Sequence, residues 1–357
     1  MGGGADAPRR LALVTGATDG GIGGTTARRL AADGYAVLLA GRNRSGLEST
    51  AAAMSADAVA GIITGDLSTV DGVGRFAAAV RAAVAERRRD GDGGGLHTLI
   101  HNAGVFLKRR TVTGDGLETT FAVNVVAPFL LTSLLLPDLE ATAAATATAD
   151  DGSTLPPRVV HVSSISHMDT GGVVPWDDLQ SEAAYSAYTA YGASKLLLLM
   201  VAREMAARFA AAAPAPAARI DVVALDPGTV NTKMLLAGWG ACGMDVGAAG
   251  GTAWLAAARS AVSGEYYVGT SPRGGAPVSR DPAARRRLWG LLTELVAEKG
   301  GGTCIRGFEV GRWLRGGTEQ RSPLAWTSGL WGRGASAGAA TTAAAVLFAG
   351  VHRVLLR

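Results

Sequence analysis

Cysteine is nearly missing from this chain of 357 residues: Cys242 and Cys304 are the two present, and neither has metal-ligand partners at a useful spacing. A disulfide framework and a structural zinc site are thereby excluded, and a reducing compartment, the cytoplasm, is expected. A strong charge of one sign is lacking too, with 34 Lys and Arg against 30 Asp and Glu, a net charge of +4. The arginines are scattered or sit in short runs such as 87–89 and 285–287, which read as solvated helix faces, so no nucleic-acid partner is expected. No secretory apolar segment precedes the first predicted strand, and Asp6 stands where a myristoylation signal at Gly2 wants Ser or Thr. Glycine, by contrast, is plentiful at 50 residues, so a glycine cluster means little without its context.

What is present is a repeated alternation of strand and helix. Apolar runs at 11–14, 36–40, 59–63, 98–100, 159–162 and 220–224 are bounded by Gly, Asn, Asp or Ser. Their apolar character is continuous, as expected of strands covered on both faces. The pattern runs on without an interdomain break, which predicts one α/β domain over 10–299: a doubly wound, Rossmann-type parallel sheet flanked by helices. An N-terminal arm, 1–9, precedes it. Three low-complexity inserts, 90–95, 141–157 and 211–218, read as solvated loops or helix ends. Residues 300–357 form a low-complexity extension whose apolar stretch, 335–351, is short of the ~20 strongly apolar residues of a spanning helix. A disordered tail and a weakly membrane-associated one both stay open.

Two motifs carry chemistry. The first strand runs straight into Thr15-Gly-Ala-Thr-Asp-Gly-Gly-Ile-Gly23 and then into a helical pattern through Ala27, Leu30 and Ala31. Strand, glycine turn and helix start are the setting in which glycines let the backbone approach a pyrophosphate met by amide N–H groups. The second motif is Tyr191-Gly-Ala-Ser-Lys195, followed by an apolar helical run. Residues four apart share a helix face, so Lys195 can sit beside the Tyr191 hydroxyl. Moving a phenol from ~10 to ~7 needs about 4 kcal/mol, which one cation at ~4 Å supplies at an effective dielectric of ~20. Taken alone, the same spacing also fits a surface Lys and a packing Tyr.

Together these motifs resemble the short-chain dehydrogenase/reductase family. The resemblance covers roughly 10–299 and includes Asn102-Ala103-Gly104 after the fourth strand and a tetrad of Asn124, Ser164, Tyr191 and Lys195. The stretches 176–182 and 190–196, with 263–267 and Leu288-Trp289, resemble the retinol dehydrogenase and polyprenol dehydrogenase-like branch. The resemblance implies a catalytic role for those four residues, with Ser164 rather than its neighbour Ser163 as the active serine. It implies cofactor contacts at Gly16, Thr18, Gly21, Ile22, Gly23, Arg42, Asn43, Asp66, Leu67, Asn102, Ala103, Gly104, Tyr191, Lys195, Pro227, Gly228, Val230 and Thr232. Arg42 follows the second strand where no acid is available for a ribose 2′-hydroxyl, which suits a 2′-phosphate and therefore NADP(H), with NAD(H) left open. No metal is expected.

The implied activity is hydride transfer interconverting a lipophilic alcohol, retinoid- or polyprenoid-like, and its aldehyde or ketone, with tyrosine as general acid or base. A nucleotide-sensing scaffold and a reductase of carbon–carbon double bonds are the alternatives. The apolar residues Met234, Leu235, Leu236, Trp239 and Trp254 are candidate walls of a greasy pocket. Peripheral membrane association and a homodimer formed through the helices of Asn124 and Tyr191 complete the implied partners. Two features depart from the family. The first turn has one residue too many, Gly20 and Gly21 standing where one Gly is usual, and His101 replaces the commoner Asn, where a satisfied loop histidine is expected. His97, His161 and His167 receive no role.

Overall fold

Strands whose successive side chains are all apolar need cover on both faces, and each strand here divides its residues between two cores. Leu11 and Leu13 join one and Ala12 and Val14 the other; Val159 and Val160 divide in the same way. The computed structural model describes residues 9–90, 95–148, 155–213, 215 and 218–300. The expected arm up to residue 8 and the extension from residue 301, with Cys304 and the apolar stretch 335–351, lie outside the described residues.

The strands are β1 (Leu11–Thr15), β2 (Ala36–Gly41), β3 (Val59–Thr64), β4 (Leu96–His101), β5 (Arg158–Val162), β6 (Asp221–Asp226), β7 (Tyr266–Val268) and β8 (Ser271–Arg273). They form one sheet in the order β3-β2-β1-β4-β5-β6-β7-β8. All neighbours are parallel except β7 and β8, an antiparallel edge hairpin that the apolar pattern does not announce. The chain moves outward from β1 to β3 and then returns to place β4 on the other side of β1. Such a reversal opens a crevice at the carboxyl ends of the strands, where ligands of open α/β sheets bind.

One face is covered by α1 (Ile22–Ala32), α2 (Arg44–Ala52) and α8 (Gly251–Ala257). The other is covered by α3 (Val70–Arg89), α5 (Ala127–Ala147) and α6 (Ala187–Ala212), with α9 (Pro282–Lys299) packed on α6. Side-chain caps start several of them: Asn43 accepts from the Gly46 N–H at 3.2 Å, Thr69 from Gly72 at 3.1 Å and Asp281 from Ala283 at 2.8 Å. The short α4 (Thr119–Phe121) leads through a π-helical turn, Ala122–Val126, into α5. This continuous helix of 29 residues is long and apolar enough to cross a membrane, but 89% of its apolar window is buried inside the protein, the signature of a core helix.

Some boundaries differ from the sequence reading. The sixth strand starts at Asp221 and runs two residues beyond Ala224, because Asp226 belongs to the ladder with β7. Helix α5 continues to Ala147 and α6 to Ala212, so the inserts at 141–157 and 211–218 begin as helix; the helix propensity of alanine favours both ends, and Thr142 and Ala143 still reach the core. Part of each insert lies outside the described residues.

One buried cation braces the sheet against α8. Arg158, 2% exposed, donates to the Leu255 and Ala258 carbonyls at 2.5 and 2.7 Å and to Asp221 at 3.2 Å. It thus satisfies carbonyls at the end of α8 that no helical N–H reaches. Arg158→Ala strands Asp221 with the exposed Arg219 as its remaining ionic partner and uncovers those carbonyls. We expect a loss of about 3 kcal/mol of stability, read as a lower urea midpoint at unchanged slope.

Candidate active site

The end of β1 is bolted to the end of β4. Thr15 Oγ1 donates to the Ile100 carbonyl at 3.1 Å and accepts the N–H groups of Asn102 and Ala103, both at 3.0 Å. The Asn102 side-chain amide returns the link, donating to the carbonyls of Thr15 at 2.9 Å and Gly16 at 3.2 Å. This closeness explains the glycines. A Cβ on Gly16 would stand 2.9 Å from Ala103 Cα, and one on Gly23 would overlap the Gly16 carbonyl and the Asn102 amide. Gly24 is confined as tightly: a Cβ on it would stand 2.6 Å from the Thr18 carbonyl oxygen. The extra residue of the turn is Gly20, at φ +71° with open space around it, so the insertion bulges outward and leaves the cradle intact. Gly21 is the N-cap of α1 with no side-chain cap, and the first turn of α1 carries no acid. Its N–H groups therefore face the crevice end without a competing carboxylate, as a pyrophosphate site requires.

The four tetrad residues meet at the same edge. Asn124 lies in the π-helical turn, where the widened backbone turns its amide inward. Its Oδ1 accepts the Val105 N–H at 2.8 Å, while Nδ2 donates to the Val105 carbonyl and to Ser194 Oγ, both at 3.0 Å. Ser164 follows β5 and its Oγ accepts the Ser166 N–H at 3.2 Å. Strand alternation sends Ser163 to the other side, where its hydroxyl donates to the Lys195 carbonyl at 3.0 Å. Tyr191 and Lys195 share a face of α6, and Lys195 Nζ stands 5.4 Å from the centre of the tyrosine ring. The ammonium donates to the Val162 carbonyl at 2.9 Å, and a Cβ on Gly104 would stand 3.6 Å from it.

The electrostatics correct one expectation. The Tyr191 phenol is pushed above, not below, its ordinary range. Burial is the main cause, the Ser164 hydrogen bond pulls the other way, and the anions Asp226 and Asp169 raise it further. Lys195 is itself 4% exposed and pays for burial, its amine pushed down to about 8 and partly restored by Asp226. One nearby cation does not offset desolvation together with two carboxylates. As held by the protein, Tyr191 is a protonated phenol at neutral pH.

Several positions named for cofactor contact have their side chains committed elsewhere. Asn43 caps α2, Asp66 accepts from Ser68 through both backbone N–H and hydroxyl, and Thr232 caps α7 (Lys233–Gly238). Leu67 packs against the core, Val230 is buried and paired with Met244, and Gly228, at φ +87°, turns the loop after Pro227. Arg42, just past β2, is exposed and has no hydrogen-bond or ionic partner among the described residues, whereas Arg44 is paired with Glu48 at 2.8 Å. The mid-turn residues Thr18 and Ile22 flank the uncapped start of α1.

Other residues were missed. Asp226, ending β6, is a buried carboxylate that accepts backbone N–H groups from Gly228 and Ile165; burial raises its pKa and Lys195 offsets part of that. Phe106, four residues past Asn102, packs at a 45° tilt against Trp239 of the segment after α7, with ring centres 4.5 Å apart, and both rings meet Tyr191 edge-on at 5.7 and 5.9 Å. Tyr188 joins them and donates to the Gly238 carbonyl at 2.7 Å. Met234, Leu235 and Leu236 lie on α7 beside this cluster. Trp254, expected in the pocket, sits on α8 across the sheet from α6 and is left out of it. His101 is a strand residue, not a loop one: it ends β4, is buried, stacks on His161 at 4.8 Å and bonds Thr132 at 2.7 Å.

The family model for short chain dehydrogenases matches residues 10–237. Over 237 residues the chain is 39% identical to polyprenol dehydrogenase of Mus musculus, covering 65% of this chain and 63% of that protein. Over 304 residues it is 32% identical to retinol dehydrogenase 12 of Homo sapiens, covering 81% of this chain and 87% of that protein. The chain thus spans less than two thirds of the polyprenol dehydrogenase. Among solved structures, an uncharacterized protein from Mycobacterium Paratuberculosis superposes with a TM-score of 0.61 at 28% identity, over 82% of this chain and 96% of that one. The fold is shared with 3-ketoacyl-(acyl-carrier-protein) reductase from Brucella melitensis complexed with NADH, at a TM-score of 0.53 and 24% identity, over 72% of this chain and 96% of that one. With a family match over more than half its length, on a doubly wound sheet whose glycine turn and tetrad share one edge, the chain belongs to the short-chain dehydrogenase family.

Proposed function

We propose that this protein is an NADP(H)-dependent oxidoreductase that interconverts a lipophilic alcohol and its aldehyde or ketone by hydride transfer. The observation that carries the reading is the meeting, at one sheet edge, of an uncapped glycine turn with a protonated phenol, a hydroxyl and an ammonium. Gly16, Gly21, Ile22 and Gly23, with Thr18, would hold the cofactor's pyrophosphate, and Asn102, Ala103, Gly104, Pro227 and Gly228 would border its nicotinamide side. The cofactor supplies or accepts the hydride, and the protein supplies orientation and the proton. Tyr191 gives its proton to the carbonyl oxygen, and the Ser164 hydroxyl donates a hydrogen bond to the same oxygen as charge develops there. Lys195 is the nearby cation that steadies the phenolate left behind. A phenol protonated at neutral pH is ready to act as the general acid of the reductive half of the interconversion.

Arg42 supports NADP(H) because it is an exposed cation just after β2 with no carboxylate partner among the described residues. The substrate side of Tyr191 is bounded by Phe106, Tyr188 and Trp239, rings suited to apolar ligands. The names of the relatives, polyprenol and retinol dehydrogenase, agree with such a substrate.

Three measurements test the proposal. Tyr191→Phe should cut kcat for NADPH-dependent aldehyde reduction by about a hundredfold or more while leaving NADPH affinity unchanged; absence of turnover in both forms would instead mean a nucleotide sensor. Arg42→Ala should weaken NADPH binding about ten- to a hundredfold and leave NADH binding as it was, and an unchanged ratio of the two would exclude the assigned role. In fluorescence titrations, Gly23→Ala should abolish NADPH binding. Gly20→Ala has open space around it and faces only the ~1–2 kcal/mol of a left-handed non-glycine residue, so its binding should survive.

A further inference from the structure

His167 has both ring nitrogens engaged although it is 1% exposed. It lies in the single 3₁₀ turn Ile165–Met168 that follows Ser164. Its Nδ1 is 2.7 Å from the Ser164 carbonyl oxygen, and its Nε2 is 3.0 Å from the Ala276 backbone nitrogen. A carbonyl can only accept and a backbone N–H can only donate, so the tautomer is fixed: Nδ1 carries the proton and Nε2 is bare. The ring is therefore neutral, in keeping with burial and the Arg203 charge, which lower its pKa against the opposing Ser164 bond. Tyr266 covers it edge-on at 4.9 Å, and a Cβ on Gly275 would stand 3.3 Å from Nε2.

The Ser164 carbonyl also accepts the His167 backbone N–H at 3.1 Å. The N–H at the other end of the same peptide unit, that of Ile165, goes to Asp226. The Ser164–Ile165 peptide plane is thus gripped at both ends, by a ring from its own turn and by a carboxylate from β6. Fixing that plane fixes the direction in which Ser164 carries its hydroxyl. The second nitrogen leads to residues 274–279, which Arg203 holds from the other side through the Gly274 carbonyl at 2.8 Å and through Ser279 Oγ.

We propose that His167 is a positioning residue for Ser164, a neutral imidazole that holds the serine's carbonyl with one nitrogen and docks the segment 274–279 with the other. The proposal rests on the reading of Ser164 as the donor to the substrate oxygen. Two substitutions separate its halves, because Asn places an N–H₂ donor near the Nδ1 position and Gln places an acceptor oxygen near the Nε2 position. His167→Asn keeps the grip on Ser164 and releases Ala276; His167→Gln does the reverse.

In the full-length protein, with NADPH and decanal as probes, His167→Gln should lower kcat roughly tenfold with the KM for NADPH unchanged, while His167→Asn should stay within about threefold of wild type. Hydrogen–deuterium exchange gives a readout independent of turnover: amides 164–168 should exchange faster in His167→Gln than in His167→Asn, and amides 274–279 faster in His167→Asn. Equal kinetic losses in the two variants, or exchange at 164–168 no different between them, would overturn the proposal. A wild-type protein without turnover that still shows this exchange pattern would sink the functional reading and leave the tether standing; without that pattern, the tether falls as well.

Discussion

An ammonium group taken out of water is the constraint around which this site is arranged. Burying a lone cation costs several kcal/mol unless neighbouring groups replace its hydration, and Lys195 finds two such neighbours. The Val162 carbonyl lies at the end of β5, and the Asp226 carboxylate ends β6. Asp226 is itself buried and accepts the N–H groups of Ile165, just after Ser164, and of Gly228, in the turn that follows β6. The lysine, two strand ends and two loops therefore form one set of mutually dependent polar groups. Removing any member leaves another uncompensated, which is why such networks specify geometry more strictly than apolar packing does.

The same burial decides the protonation of the tyrosine. Desolvation is the largest influence on the phenol, and the carboxylates of Asp226 and Asp169 add to it against the Ser164 hydrogen bond, so the proton stays on Tyr191. A simple count of one favourable cation misses this, because the charge that keeps the lysine charged is also near the tyrosine.

Much of the architecture was legible because it follows from local rules. Continuous apolar runs located the parallel strands, and the glycines after Val14 marked the turn where two backbones approach. The tetrad could be picked out by helical spacing and resemblance. What escaped depends on partners far apart in the chain. Nothing local to Asn124 announces a π turn, since its amide is satisfied by Val105 and Ser194 across the fold. Asp226 and His167 sit 61 and 109 residues from the backbone groups they hold at Ile165 and Ala276, distances no periodicity encodes. The cap at Asn43 is readable, an Asn preceding a helical segment by one residue. Trp254 was misplaced because an apolar residue in a sequence does not declare which face of a sheet its helix will cover.

The helix that carries the tyrosine also explains why the edge hairpin matters to the site. Tyr191, Lys195, Leu199 and Arg203 fall four residues apart and line one stripe of α6. The first two serve the crevice, Leu199 packs where a Cβ on Gly275 would stand 2.9 Å from it, and Arg203 fastens Gly264, Gly274 and Ser279. The segment that follows β8 is therefore seated on the continuation of the stripe that carries Tyr191 and Lys195, and His167 reaches the same segment from the opposite loop. Two independent attachments with different partners make the placement of 274–279 overdetermined. Strand β7 is packed through Tyr266 and Tyr267, whereas β8, with exposed residues at 271–273, has little packing of its own. The segment 274–279 that follows is fixed by bonds from Arg203 and His167, so a disturbance on either side of those bonds is felt on the other.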